Sequence, residues 1–355
     1  MEIDYSEINY LQDPNIQDLH ADYVQFLFSM TGPTVIDITG SNTSKCRVVT
    51  TLLQGNEPSG LIALHRWLTT RPDGQLPKTN LRFIICSIEA ASKKPIFTRR
   101  FIEGGKDINR CFGKKGQHHA FQDDQQGSYE RAKLIEKAIT DVKPEMVIDL
   151  HNASSPGPAF SICSIITTET LSLASFFCQT LILSDLSLGA LMEQEFSCPF
   201  ITIESGGSFD EQAHEVTFAG ISHIAQCENI GYIHQEKNVE VIYRPLRLQV
   251  NTNVNLSYAE HDEGYSGVTL KNNMEYFNFG GAKQNEMIGW TDGNGINNLQ
   301  LLDKKGKNVI GDYFYTRENQ LVCKKNLRVF KATTNKAAAL NDCLFYVVKQ
   351  VSNES

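Results

Sequence analysis

The chain has no apolar run long enough to cross a bilayer, no Cys-x-x-Cys pair, no excess of basic charge, no internal repeat and no low-complexity tract. Each absence excludes something. A membrane helix needs about 20 apolar residues. The longest apolar run, around Leu181-Ile182-Leu183, is broken by Ser184 and Asp185. The nine cysteines are scattered and odd in number, which suits reduced, buried thiols and not a disulfide frame. Met1-Glu2-Ile3-Asp4 has neither the basic nor the apolar region of a secretory signal. A cytoplasmic location is the expectation. A net charge of −8 argues against nucleic acid or an anionic membrane as partner. Local basic clusters, Lys93-Lys94 and Arg99-Arg100, could still hold a small acidic ligand. Self-association as a homo-oligomer is left open.

What is present is ordinary for a globular protein with a sizeable core: 41% hydrophobic and 21% charged residues. At 355 residues, two domains are expected. In residues 1–235, strand and helix signals alternate. Residues 15–30 read as a helix with Ile16, Leu19, Tyr23, Phe26 and Leu27 on one stripe. Residues 34–38 and the β-branched segment 47–53 read as strands. A helix opens at Pro58, where the missing N–H is harmless. Residues 81–88 read as a strand, 126–140 as a helix and 146–150 as a strand delivering His151. Residues 200–203 read as a strand delivering Glu204, and 209–229 as a long helix. The alternation predicts an α/β fold with a mostly parallel mixed sheet flanked by helices, and a ligand site beyond the carboxyl ends of its strands. From residue 236 to 355 short strands and frequent Asn and Gly predict a smaller C-terminal β domain.

Four short segments carry candidate chemistry. Gln54-Gly55-Asn56-Glu57 places an acid at a strand-to-helix turn. Glu57 is there either a metal ligand or an acid favoured by the helix dipole. Asp149-Leu150-His151-Asn152 sets a carboxylate on the same strand face as a histidine. There it could orient a ligand, as metal sites usually require. Otherwise His151 is a satisfied core residue. Asp107-Ile108-Asn109-Arg110, preceded by Arg99-Arg100, offers an arginine fork suited to a carboxylate, or simply a solvated basic loop. Glu204, before Ser205-Gly206-Gly207, is an acid ending an apolar strand, costly without a function or a partner.

In this order the four segments resemble the aspartoacylase/succinylglutamate desuccinylase family of the zinc-carboxypeptidase-like superfamily. That family carries His-Gly-Asn-Glu, an Arg followed by Asp-x-Asn-Arg-x-Phe, Asp-Leu-His-Asn, and a catalytic Glu on a strand. The resemblance covers roughly residues 45–232. It implies a hydrolase acting on a linear amide bond, removing an acyl group from a small N-acylated amino acid or related amide. Glu57 and His151 would bind one zinc ion, with Gln54 at the place of the third ligand. Asn109 and Arg110 would hold a substrate carboxylate. Arg100, or Arg99 beside it, would face the scissile carbonyl, and Glu204 would act as general base and then general acid.

Gln54 departs from the family's pattern, which has histidine there. A neutral amide oxygen is a poor zinc ligand beside imidazole. Three consequences are open. A harder divalent ion could bind. Another histidine could step in, His118 or His119, whereas His65 on the first helix is expected to pack or face solvent. Or the protein could be a metal-poor relative that binds a carboxylate-bearing ligand without hydrolysing it. A peptide-cleaving metallocarboxypeptidase is a further variant.

Overall fold

The computed structural model describes residues 4–72, 74–113, 126–185, 187–231 and 238–349. The chain divides into two units: Met1–Asn152 with Ala159–Ile242, and Ala153–Pro158 with Tyr243–Ser355. The sequence placed the boundary at residues 235/236. The first unit instead runs on to Ile242, because the segment Glu240–Tyr243 forms the last strand of its sheet.

That sheet has nine strands: β1 (Asn9–Gln12), β2 (Thr34–Ile38), β3 (Asn42–Thr51), β4 (Thr79–Ile85), β5 (Met146–Ala153), β6 (Phe160–Cys163), β7 (Thr180–Leu183), β8 (Phe200–Gly207) and β9 (Glu240–Tyr243). Their order is β1-β2-β4-β3-β5-β8-β6-β7-β9. Strand β3 pairs in parallel with both β4 and β5, with Thr50 opposite Asp149. The β2–β4 and β6–β8 pairs are antiparallel, so the sheet is mixed.

Successive side chains of a strand point to opposite faces, and each face has its own core. On one, Val49, Phe83, Ile148, Ile201 and Ile203 pack with helices α1 (Tyr23–Ser29), α2 (Ser59–Thr70), α5 (Thr168–Ser175) and α6 (Glu211–Gln226). On the other, Val48, Ile84, Val147 and Phe200 pack with Ala132, Ile135, Ala138 and Ile139 of α4 (Gln126–Thr140). The short helix α3 (Ile88–Ala91) follows β4. Burying each such aliphatic side chain contributes about 1.5–3 kcal/mol. The strands therefore read as continuous apolar runs because both faces are covered.

The expected helix over 15–30 is shorter in the structure. Asp22 caps α1 by accepting from the N–H groups of Val24 and Gln25, each at 2.9 Å, so the helix starts only at Tyr23. A single 3-10 turn, Ile16–Asp18, precedes it.

The second unit carries a four-stranded antiparallel sheet and a five-stranded sheet built from β10 to β18, over Leu246–Lys349. Leu248, Leu270, Phe314, Leu321, Leu327 and Phe345 lie in its core. The expected β-rich character of this part holds.

Candidate functional site

The site begins where β3 ends. Thr51 is the last residue of the strand, and Leu52 turns the chain with φ at 53°. The turn that follows is closed by the Glu57 N–H donating to the Gln54 carbonyl at 3.1 Å. Gly55 lies flush against two other segments. A Cβ there would stand 2.6 Å from the Ala91 nitrogen and 2.8 Å from the Arg99 carbonyl oxygen, so only glycine fits. The Gly55 N–H donates to the Arg100 carbonyl at 3.0 Å. Gln54 and Glu57 are thus delivered, both buried, on a turn with little freedom.

Strand β5, adjacent to β3, brings the partner. His151 lies within the strand, which runs on to Ala153, and not just past its end as the sequence suggested. Nδ1 of its ring is 2.6 Å from Oε2 of Glu57, and Nε2 is 2.6 Å from Oδ2 of Asp149. The other oxygen of Asp149 accepts from the Thr50 hydroxyl at 2.6 Å. Burial alone would push the His151 imidazole below its ordinary value. The carboxylates of Asp149 and Glu57, one at each ring nitrogen, hold it well above that value instead.

Asp107 is a second hub. Its Oδ2 accepts from Gln54 Nε2 at 3.0 Å and from Arg100 Nε at 2.8 Å, while Oδ1 accepts from the Asn109 N–H at 2.9 Å. Arg100 Nη1 stands 4.0 Å from Oε1 of Glu57. Gln54, Glu57, Arg100, Asp107 and His151 therefore form one connected cluster.

Asn109 joins it from the side: Nδ2 is 3.4 Å from His151 Nε2, and Oδ1 accepts from the Leu191 N–H at 2.8 Å. Arg110 donates from Nη1 to the carbonyl of Asn109 at 2.7 Å. Both carboxamide ends of Asn109 thus face protein groups. The loop that reaches Asn109 is closed by Glu193, whose carboxylate accepts from the N–H groups of Gly189 and Ala190 at 3.1 and 3.0 Å.

Glu204 is buried within β8, opposite Phe160 of β6. Ile201 and Ile203 belong to the α2 and α6 side of the sheet. By alternation Glu204 points to the face shared by Asp149 and His151 on the neighbouring strand β5.

Of the alternative histidines, His118 and His119 lie outside the described residues. His65 is buried and packs on Phe26, with ring centroids 5.4 Å apart, away from this cluster. Among the described residues no group of three or more His, Cys, Asp or Glu side chains is arranged to hold a metal ion. Gln54, expected at the place of the third ligand, presents an amide held by Asp107.

Sequence reasoning quoted Asp107 and Asn152 within their segments but gave them no role, and missed Ser59 and His214. The Asn152 N–H donates to Oε2 of Glu57 at 3.2 Å, and its side chain ties Ser59 of α2 to Gly206 of β8. The signal available was position alone: Asn152 follows His151, and Ser59 opens the helix after Glu57.

Residues 48–224 match the family model of the succinylglutamate desuccinylase/aspartoacylase catalytic domain. This part of the chain belongs to that family. Solved structures agree with the fold. The succinylglutamate desuccinylase of Vibrio parahaemolyticus aligns at a TM-score of 0.56 and 12% identity, over 94% of this chain and 96% of its own. That of Vibrio cholerae aligns at 0.51 and 12%, over 86% and 99%. A succinylglutamate desuccinylase/aspartoacylase from Rhodobacter sphaeroides aligns at 0.50 and 14%, over 84% and 82%. A comparison with curated proteins finds no match. Among the described residues no helix is long and apolar enough to cross a membrane.

Proposed function

We propose that the chain hydrolyses the amide bond of a small N-acylated amino acid, using a divalent cation held at the Glu57–His151 pair. The observation that carries this reading is the 2.6 Å approach of Glu57 Oε2 to His151 Nδ1, with Asp149 on the far ring nitrogen. A carboxylate behind a histidine is what a metal-ligating imidazole ordinarily has.

The donor set fits a divalent cation, with one departure. A cation at this pair would take the place of the proton that Glu57 Oε2 and His151 Nδ1 share at 2.6 Å. Gln54 has its amide nitrogen engaged by Asp107, so its carbonyl oxygen is the end left to serve as a ligand. Two oxygens and one nitrogen suit a harder ion, such as manganese, better than a set with two imidazoles would. Bound there, the ion would supply the acidity that makes water a nucleophile near neutral pH.

The chain's own residues do the rest. Asp149 fixes the ring of His151 so that Nδ1 faces Glu57. Glu204 takes the proton of the attacking water and hands it to the leaving amine. Arg100, braced at Nε by Asp107, directs its guanidinium to the developing oxyanion. Arg110 donates to the substrate's carboxylate as the charged partner, and Asn109, whose carbonyl holds one Arg110 nitrogen and whose carboxamide is tied to His151 and Leu191, sets the place of that arginine. A cytoplasmic setting and a small carboxylate-bearing substrate complete the reading.

The test combines metal analysis of protein purified without added metal with amine release from N-acyl-aspartates and N-succinylglutamate. Metal binding with amine release from at least one compound is expected. A metal-loaded protein that releases no amine from any of them, yet binds them, supports the second reading, a carboxylate binder that does not hydrolyse. Gln54 is the observation that favours that alternative.

A further inference from the structure

A line of polar groups runs behind the Glu57 turn and has no part in the scheme above. It begins at His214 on α6, whose Nδ1 is 2.8 Å from the hydroxyl of Ser59, the first residue of α2. Ser59 is fully buried. Its hydroxyl oxygen accepts from Asn152 Nδ2 at 2.7 Å, and its N–H donates to Asn152 Oδ1 at 3.0 Å. Asn152 Nδ2 also donates to the Gly206 carbonyl at 3.0 Å, and the Asn152 N–H to Glu57 Oε2 at 3.2 Å.

The directions between Ser59 and Asn152 are forced. The Ser59 N–H can only donate, so Oδ1 of Asn152 faces it and Nδ2 faces the hydroxyl. The Asn152 amide can only donate, so the Ser59 oxygen accepts. The Ser59 oxygen keeps a second lone pair, so the bond to His214 is set by the tautomer: with the ring proton on Nε2, Nδ1 accepts the hydroxyl proton of Ser59. Burial holds the imidazole of His214 below its ordinary value, against the nearby carboxylates of Asp210, Glu211 and Glu215, which favours that neutral ring.

We propose that His214 is a positioning residue for the site: by accepting the Ser59 hydroxyl it fixes Asn152, and through Asn152 both the Glu57 carboxylate beside His151 and the end of the strand that carries Glu204. The inference rests on the reading of Glu57 and His151 as the cation pair. A plain helix clasp between α2 and α6 would use the same Ser59–His214 bond, but would not reach the ring of His151.

The test compares His214→Leu and His214→Gln in the full chain. The readouts are the ¹⁵N signals of the His151 ring in metal-free protein, manganese affinity by calorimetry, and melting temperature. His214→Leu should shift the His151 ring signals and weaken manganese binding by about tenfold, the low end for an outer-shell partner. His214→Gln, whose amide oxygen can accept from Ser59, should keep both near wild type. Unchanged His151 signals and affinity in folded His214→Leu overturn the proposal. So do equal losses in both variants that simply follow the melting temperature. If the wild type binds no metal, the proposed function fails on its own, and the His151 signals alone decide the positioning role. Should His214→Leu not fold, Ser59→Ala breaks the same link and must shift the same signals; if it does not, the proposal falls.

Discussion

The amide nitrogen of Gln54 lies 3.0 Å from Oδ2 of Asp107, the oxygen that also accepts from Arg100. Gln54, which stands where the family resemblance leads one to expect a histidine, is anchored by a buried carboxylate. An imidazole at the same place could donate its Nε2–H to Asp107 and offer Nδ1 to a cation. Gln54 can donate its amide nitrogen and offer its oxygen. The anchor is compatible with either residue, and only the donor presented to the cation changes.

The first prediction follows from that exchange. Gln54→His should raise zinc affinity at least tenfold, about 1.4 kcal/mol, measured by competition with a chelating dye. Wild-type protein that already binds zinc as tightly as the variant would show that Gln54 is a competent ligand, or that another residue takes the place.

Asp107→Ala removes one acceptor shared by Gln54, Arg100 and the Asn109 N–H. Hydrogen bonds to a charged group contribute about 1.5–3 kcal/mol, and urea unfolding should show a loss of that order. Because Arg100 also loses its brace, amine release should fall further than the loss of folded protein explains. Activity that scales only with the folded fraction would separate Arg100 from the chemistry.

The sequence made the parallel sheet legible because both its faces are covered. Strands such as 47–53 and 146–150 are mostly apolar or β-branched on both faces, and the helices between them carry single apolar stripes. Glu57 and His151 were legible as a pair because each marks the carboxyl end of a buried strand, Glu57 past the end of β3 and His151 in the last residues of β5. Asp107 was not legible as the hub, since its three partners come from the turn after β3, the Arg100 loop and its own 3-10 turn. The Ser59–Asn152–His214 line was hidden for the same reason: its members are 93 and 155 residues apart from Ser59. Strand ends were misjudged at β5 and β8, where hydrogen bonding continues past the polar residues that appeared to end them.

Arg110→Ala should weaken binding of an acidic ligand by about 1.5–3 kcal/mol, again the range for charged hydrogen bonds. Isothermal titration with an N-acyl amino acid is the measurement. The bond from Arg110 Nη1 to the Asn109 carbonyl is local and leaves other guanidinium N–H groups to meet a carboxylate. Affinity equal to wild type would place the anion site elsewhere.

Glu204→Gln should leave folding and cation affinity close to wild type and remove amine release. The substitution conserves volume within β8, and the strand pairing of residue 204 with Phe160 uses only the backbone. A buried carboxylate replaced by its amide loses the ability to take a proton, which is the one property the proposed role requires. Loss of a general base is expected to lower turnover by about 10²–10⁴-fold. The decisive comparison is made in the Gln54→His background, where cation occupancy is no longer limiting. If Gln54→His/Glu204→Gln still releases amine at the rate of Gln54→His alone, the proton is handled by another group, and Glu204 is a structural acid.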